Sequence, residues 1–294
     1  MRASIGGRRP GGHGRVEGGA PLANSTPDAL WNASALRLLR PSAVACREIH
    51  LRRGRETVLD RVTLSIPAGA RLLLVSRPEE SASALLRILA GLTRPAGGEV
   101  ELAGLEDPSP LGWGRRVAYV GPQPGVYPWM TPREALTLAA RLHGLEGGEI
   151  DARIARLAGP YGLWRALDRP ITRGGPPFEQ RVAFVAALIG EPEVLLLDEP
   201  LRAVDPDERQ RLLRIPGTRL TVVLASRYPA SEAGLCTHVA LLLDGRLALV
   251  APISQLEEER LPLSMRGIEA LAAAGRPSES DPSPAAHQAV PQER

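Results

Sequence analysis

Three segments of the chain, "RLLLV", "EVLLLDEP" and "RLTVVLAS", are apolar at nearly every position. A strand half exposed to water alternates polar and apolar residues, so continuous runs like these read as strands buried on both faces. Helical patterns lie between them: "SALLRILAGL", with Gly91 near its end, follows the first run, "QRVAFVAALIG" precedes the second and "DPDERQRLLRI" follows it. Buried strands alternating with helices specify an α/β fold with a mostly parallel sheet.

Other patterns surround this framework. "AVACREIHLRRG" and "ETVLDRVTLSIPAG" read as two strands joined by a turn, "GEVELAG" as a further strand, and together they predict an antiparallel part near the start. The middle third reads as helical, and "TPREALTLAARLHGL" opens on Thr131 as N-cap with Pro132 at the first helical position. "HVALLLDGRLALVAP" predicts a hairpin around Asp244-Gly245. A helix is expected from about Ser264 to Ala274. The division that follows is a Gly/Arg/Pro-rich leader over 1–42, with a short helix near Leu30 to Leu39, and a folded unit over 43–252 with a helical subdomain at about 122–186. A short helix and a Pro/Ser tail fill 253–294.

Composition narrows the function classes. A chain of 294 residues with 44% hydrophobic content supports one good-sized core. No run reaches the roughly 18 apolar residues of a membrane span, and the start has no apolar signal core, so the expectation is a soluble cytosolic protein. Cys46 and Cys236 sit in apolar surroundings far apart in sequence and read as buried free thiols rather than a disulfide or metal pair. The net charge of +3 is local to the leader, which leaves the folded part without the basic balance of a nucleic-acid binder.

"LLLVSRPEESASALLRILAGL" has the layout of a phosphate-binding strand, loop and helix. The pattern for phosphate is G-x-x-x-x-G-K-[ST], whose glycines let backbone N–H groups approach, whose lysine meets the terminal phosphates and whose hydroxyl meets Mg²⁺. At that spacing stand Ser76, Ser81, Ala82 and Ser83, and all 36 basic residues of the chain are arginine. No lysine from any position can replace the missing one.

The order of segments from about Ala43 to Pro252 resembles the ATP-binding subunit of ABC transporters. "VLLLDEP" is similar to that family's Walker B strand and "LRAVDP" to its D-loop. "LLRILAGLTRPAGGEVELAG" and "YVGPQPGVYPWMTPREALTLAARLHGL" resemble its export branch. The resemblance implies a P-loop NTPase-like ABC cassette with an antiparallel β subdomain and a helical subdomain. Its cofactor would be Mg-ATP. Asp198 and Ser83 would hold the Mg²⁺ shell, Glu199 would polarise the attacking water, and Asp205 would take the acidic D-loop position. It also implies a location at the inner face of the cell membrane, a membrane-spanning partner and a second, homologous cassette.

The other nucleotide positions depart from the family pattern. Ser76 and Ser81 replace glycines, Ala82 replaces the lysine, and Glu79 and Glu80 put carboxylates where the anion would sit. The family's glutamine falls on Pro122, with Gln123 one residue late. Its L-S-G-G signature falls on Gly174, Gly175, Pro176 and Pro177, and proline has no N–H to donate. The switch histidine falls on Arg227 and the adenine-stacking aromatic on Arg53. Losing one buried charge-assisted phosphate contact costs about 2 to 5 kcal/mol. The expectation is therefore a pseudo-ATPase; an active transport ATPase and an interaction module that has left transport are the alternatives.

Two further expectations concern particular residues. A helix starting near Ser81 would be capped by that side chain, with Glu79 and Glu80 either serving as an internal anion at its positive end or pointing into solvent. Tyr127, Trp129 and Met130, in the turn "GVYPWM", would form the patch that receives the membrane subunit, with core packing as the alternative for the aromatics.

Overall fold

The computed structural model describes residues 42–102, 105, 110–216 and 219–274. The leader to residue 41, the helix expected near Leu30 to Leu39 and the tail beyond 274 lie outside them. The strands are β1 (Ser42–Arg53), β2 (Glu56–Pro67), β3 (Arg71–Arg77), β4 (Gly97–Leu102), β5 (Val117–Val120), β6 (Val194–Asp198), β7 (Thr221–Ala225), β8 (His238–Leu243) and β9 (Arg246–Pro252). The helices are α1 (Glu80–Leu89), α2 (Pro110–Arg116), α3 (Pro132–Leu142), α4 (Gly148–Ala158), α5 (Gly175–Leu188), α6 (Pro206–Leu213), α7 (Pro229–Glu232), α8 (Ser254–Glu258) and α9 (Met265–Ala274).

Six strands form the central sheet in the order β5-β6-β7-β3-β8-β9. Every neighbouring pair is parallel except β8 and β9, which close an antiparallel hairpin. The uninterrupted apolar runs have a direct explanation. On β3, Leu73 and Val75 face one core layer while Leu72 and Leu74 face the other, and the same alternation carries Leu195 and Leu197 against Val194 and Leu196 on β6. Both faces of the sheet are covered, so both sets of side chains must be apolar. The hairpin turns where Asp244 (φ 48°) and Gly245 (φ 75°) both adopt left-handed backbone, the requirement of the tight turn its Asp-Gly dipeptide predicts.

A second, three-stranded antiparallel sheet, β2-β1-β4, covers one side and helices α3 to α5 the other. Thr131 caps α3 as its sequence predicts. Its Oγ1 accepts from Glu134 N at 3.2 Å, and its own N–H donates to Glu134 Oε2 at 2.8 Å, a reciprocal capping box. The fold is α/β, with an antiparallel subdomain and a helical one. Helix α2 and the short strand β5 were not individually legible, because their apolar positions are too few to set a period.

Candidate functional site

In an open parallel sheet, loops at the carboxyl ends of the strands splay apart at the switch in strand order and leave a crevice. Here the ends of β3, β6 and β7 enclose a cavity of about 320 Å³. Ser76, Arg77, Glu79, Ala82, Ser83, Asp198, Glu199 and Arg227 line it. Residues spread over 152 positions of sequence thus meet at one place, as their alignment with strand ends predicts.

The loop from β3 to α1 is held by its own serines. Ser76 Oγ donates to Glu79 O at 3.1 Å and accepts from Ala82 N at 3.1 Å, so one hydroxyl ties both ends of the turn. This corrects the expected cap. The N-cap of α1 is Glu79, and its side chain makes no capping bond. Ser81 lies within the first turn, fully buried, and its Oγ donates to Val58 O at 3.0 Å on the neighbouring sheet. The reason is that α1 is capped two residues earlier than the sequence suggests, which puts Ser81 inside the first turn and turns it inward. Ala82, where a lysine would project, carries only a methyl group toward the cavity.

Glu80 stands in the first turn of α1, at its positive end, and Glu79, at the N-cap, is exposed; each carboxylate also faces a guanidinium. Arg53 Nη1 lies 3.3 Å from Glu80 Oε2. Arg227 spans the cavity: its Nη2 donates to Glu199 Oε2 at 2.5 Å, and its Nη1 lies 3.3 Å from Glu79 Oε2. One side chain at the end of β7 thereby bridges the phosphate-type loop and the carboxylate that follows β6. These carboxylates hold the Arg227 guanidinium even more firmly protonated than usual, chiefly through the Glu199 hydrogen bond. Glu199 sits in the left-handed region at φ 46°, an arrangement costing on the order of 1 to 3 kcal/mol that persists only where surrounding contacts enforce it. Its N–H is fixed to Ala225 O at 3.1 Å.

Asp198 is buried at the end of β6 and fully engaged. Ser83 Oγ donates to its Oδ1 at 2.8 Å and the Tyr119 hydroxyl to its Oδ2 at 2.8 Å. Burial and the Asp198 carboxylate together push the Tyr119 hydroxyl well above its ordinary pKa, so it stays a donor. Nothing in the sequence singles out Tyr119. It is one aromatic in a short strand, and only the pairing of β5 beside β6 brings it to Asp198. Ser83 and Asp198 supply one hydroxyl and one carboxylate, two oxygens of the kind a divalent ion takes, and among the described residues no group of three or more His, Cys, Asp or Glu is placed to hold a metal.

The remaining sequence candidates lie apart from this cavity. Gln123 lines a separate groove of about 500 Å³ with Arg87, Tyr119 and Val126. Asp205 caps α6, accepting from Asp207 N at 3.0 Å and Glu208 N at 3.4 Å. Pro176 and Pro177 fall in the first turn of α5, where helical N–H groups have no partner in any case, so the helix tolerates them. Gln180, unremarked in the sequence, is buried on α5 and joins two loops: its Nε2 donates to Pro122 O at 3.4 Å and its Oε1 accepts from Ala203 N at 2.8 Å.

The aromatic turn divides. Trp129 is 71% exposed and Tyr127 51%, their rings 5.0 Å apart, while Met130 packs against the core. The outward face is therefore two stacked aromatics, without the methionine.

Comparison with known proteins gives a consistent likeness. The profile of the ABC transporter family matches residues 59–202. The aliphatic sulfonates import ATP-binding protein SsuB 1 of Mesorhizobium japonicum is 33% identical over 216 residues, covering 70% of this chain and 78% of that one. The human ATP-binding cassette sub-family A member 6 is 29% identical over 213 residues, covering 71% of this chain but 13% of its own length, so the chain spans only a small part of that relative. A solved structure titled "Structure of ATP binding subunit of ABC transporter" superposes with a TM-score of 0.68 at 23% identity, covering 79% of this chain and 99% of that one, a likeness of fold.

Proposed function

The chain belongs to the ABC transporter family, as its 33% identity to a relative of which it covers 78% shows, and from that premise we propose that it is the cassette subunit of an exporter working as a pseudo-ATPase. The observation that carries this reading is the Arg227 bridge. In the family's manner, Glu79 and Glu199 would face the phosphates and attacking water of Mg-ATP. Here both carboxylates face a single guanidinium across the cavity, and Ala82 supplies no ammonium. The donor set keeps the metal half of a Mg-ATP site in Ser83 and Asp198 and lacks the phosphate half. The subunit pairs with a membrane-spanning chain and with a homologous cassette at the inner face of the membrane, and it binds no nucleic acid.

Export rests on the two segments that resemble that branch, and the import named for the sulfonate relative is the opposite assignment. Uptake and efflux assays in a strain lacking this chain separate the two. Domain limits of 43–252, with the helical part near 122–186, belong to the same reading. A second function, an active ATPase, is favoured by the intact Ser83–Asp198 pair at 2.8 Å. The deciding experiment is calorimetry and thermal unfolding of the full chain with Mg-ATP. A ligand that binds only the native state must stabilise it once its concentration exceeds Kd. No shift at millimolar Mg-ATP is expected, and a shift of several degrees would replace the pseudo-ATPase with the active enzyme.

A further inference from the structure

The Arg227 bridge needs something to aim it. Arginine is long and rotamer-rich, and at 40% exposure its ion pairs alone do little to fix its direction. The backbone on either side is held first. Ser226 N donates to Leu74 O at 3.3 Å, Ser226 Oγ accepts from Tyr228 N at 2.9 Å, and Ser231 N donates to Tyr228 O at 3.0 Å. Arg227 is the middle residue of this hydroxyl-closed turn.

The turn leans on a support outside the cavity. Tyr228 is 60% exposed, yet its ring is set against α6, with its centroid 5.9 Å from Arg209 Cζ. Arg209 is itself buried, and its Nε lies 3.2 Å from Oε1 of Glu232, buried on α7. Arg209 Nε and Glu232 Oε2 have no hydrogen-bond partner among the described residues, so charge and burial hold this pair together. Removing either charge would strand the other inside the protein, which ties α6 to α7. The Gln210 amide adds a second tie by donating to Ser231 O. A guanidinium fixed in this way is a platform on which an aromatic ring can rest. Arg209, Tyr228 and Glu232 all lie outside the cavity's lining.

We infer that Arg209 is the positioning residue of the bridge: through the Tyr228 ring it fixes the turn that carries Arg227, and so holds that guanidinium between Glu79 and Glu199. The inference rests on the reading of the cavity as closed by Arg227. It adds that the closure is set from α6, the helix capped by Asp205, so a shift of α6 against α7 frees Glu199 with no change in the loop from β3 to α1.

The test reads how fast phenylglyoxal modifies Arg227 in the full chain, by mass spectrometry of its peptide. The rate is taken as a ratio to that of Arg77, the other arginine lining the cavity among the described residues, so that general loosening cancels. Tyr228→Ala, at an exposed position that folding tolerates, is expected to raise the ratio by up to about fivefold, the factor that corresponds to an exposed ion pair. Tyr228→Phe keeps the ring and should leave the ratio at the parent's value. The double variant Arg209→Met, Glu232→Met removes the platform together with its buried counter-charge and should raise the ratio as far as Tyr228→Ala does. Arg209→Lys keeps the buried charge but gives up the planar contact; it should fall between, and it serves if the double variant does not fold. The inference is overturned if Tyr228→Ala leaves the ratio unchanged, if Tyr228→Phe raises it as much as Tyr228→Ala, or if no folded Arg209 variant raises it. Binding and turnover of Mg-ATP by the parent chain would overturn the pseudo-ATPase alone, because the ratio is measured without nucleotide.

Discussion

The cavity at the strand ends and the turn at Tyr127 to Trp129 use their side chains in opposite ways. In the cavity every ionised group met has an internal partner: Glu79 and Glu199 share Arg227, Asp198 accepts from Ser83 and Tyr119, and Arg77 faces Glu269. In the turn, the largest apolar side chain of the region, Trp129, is left 71% exposed with the Tyr127 ring 5.0 Å from its own. A site satisfied from within resists a ligand, since each new contact must displace an old one. An exposed aromatic pair costs little to cover and gains apolar area on contact. The contrast can be broken by experiment.

The sharpest break compares two aromatics of the same subdomain. Phe184 is fully buried on α5 and meets Tyr161 edge to face at 5.8 Å. Phe184→Ala should destabilise the chain by about 3 to 5 kcal/mol, while Trp129→Asp should stay within about 0.5 kcal/mol in denaturant melts, as for surface positions. The same Trp129→Asp variant should lose co-purification with the membrane-spanning subunit. A Trp129 variant that melts like the Phe184 variant would show the turn to be structural.

Next in size is repair of the loop. Glu79→Gly, Ser81→Gly and Ala82→Lys together remove one carboxylate and supply the ammonium, so ATP affinity measured by calorimetry should rise at least about a hundredfold on the contact energies of such sites. The unliganded variant should lose about 2 kcal/mol, because Ser81→Gly leaves Val58 O without its buried donor and puts glycine in a helix. Turnover should not follow, since the Arg227 bridge to Glu199 remains. Repaired protein that hydrolyses ATP at once would favour the active-enzyme reading.

Smaller still is the bridge taken alone. Arg227→Gln removes the shared partner of two carboxylates at a partly exposed position, and screening limits the loss to about 0.5 to 1 kcal/mol at low ionic strength. In about 1 M salt the difference between parent and variant should nearly vanish. A loss that persists at high salt would mean that Arg227 packs rather than pairs.

The smallest effect concerns pH. His238 is buried at the start of β8, and burial holds its imidazole below the usual pKa. The unfolded chain therefore binds the proton more readily than the folded one. The stability from this residue is complete above the ordinary histidine range near 6.5 and is lost as pH falls through the depressed folded value. His238→Gln should flatten that part of the profile, and an unchanged profile would place the acid sensitivity elsewhere, His143 being the other depressed histidine.

Much of this molecule was written locally. The parallel sheet follows from apolar runs that must be covered on both faces, the hairpin from Asp244-Gly245, the cap of α3 from Thr131 and Glu134, and the convergence of Ser83, Asp198 and Arg227 from the family motifs their positions match. The loss of the phosphate half of the site was also legible, because it depends on which residue types are present, and no lysine is. Tertiary structure alone decided what fills the gap. The inward turn of Ser81 depends on a helix capped two residues early, Tyr119 reaches Asp198 because β5 lies beside β6, and Arg77 meets Glu269 across 192 positions of sequence. Local pattern reports a residue's type and its place along an element. Which charge neutralises which depends on distances of a few ångströms between elements far apart in sequence, and those are set only when the core has packed.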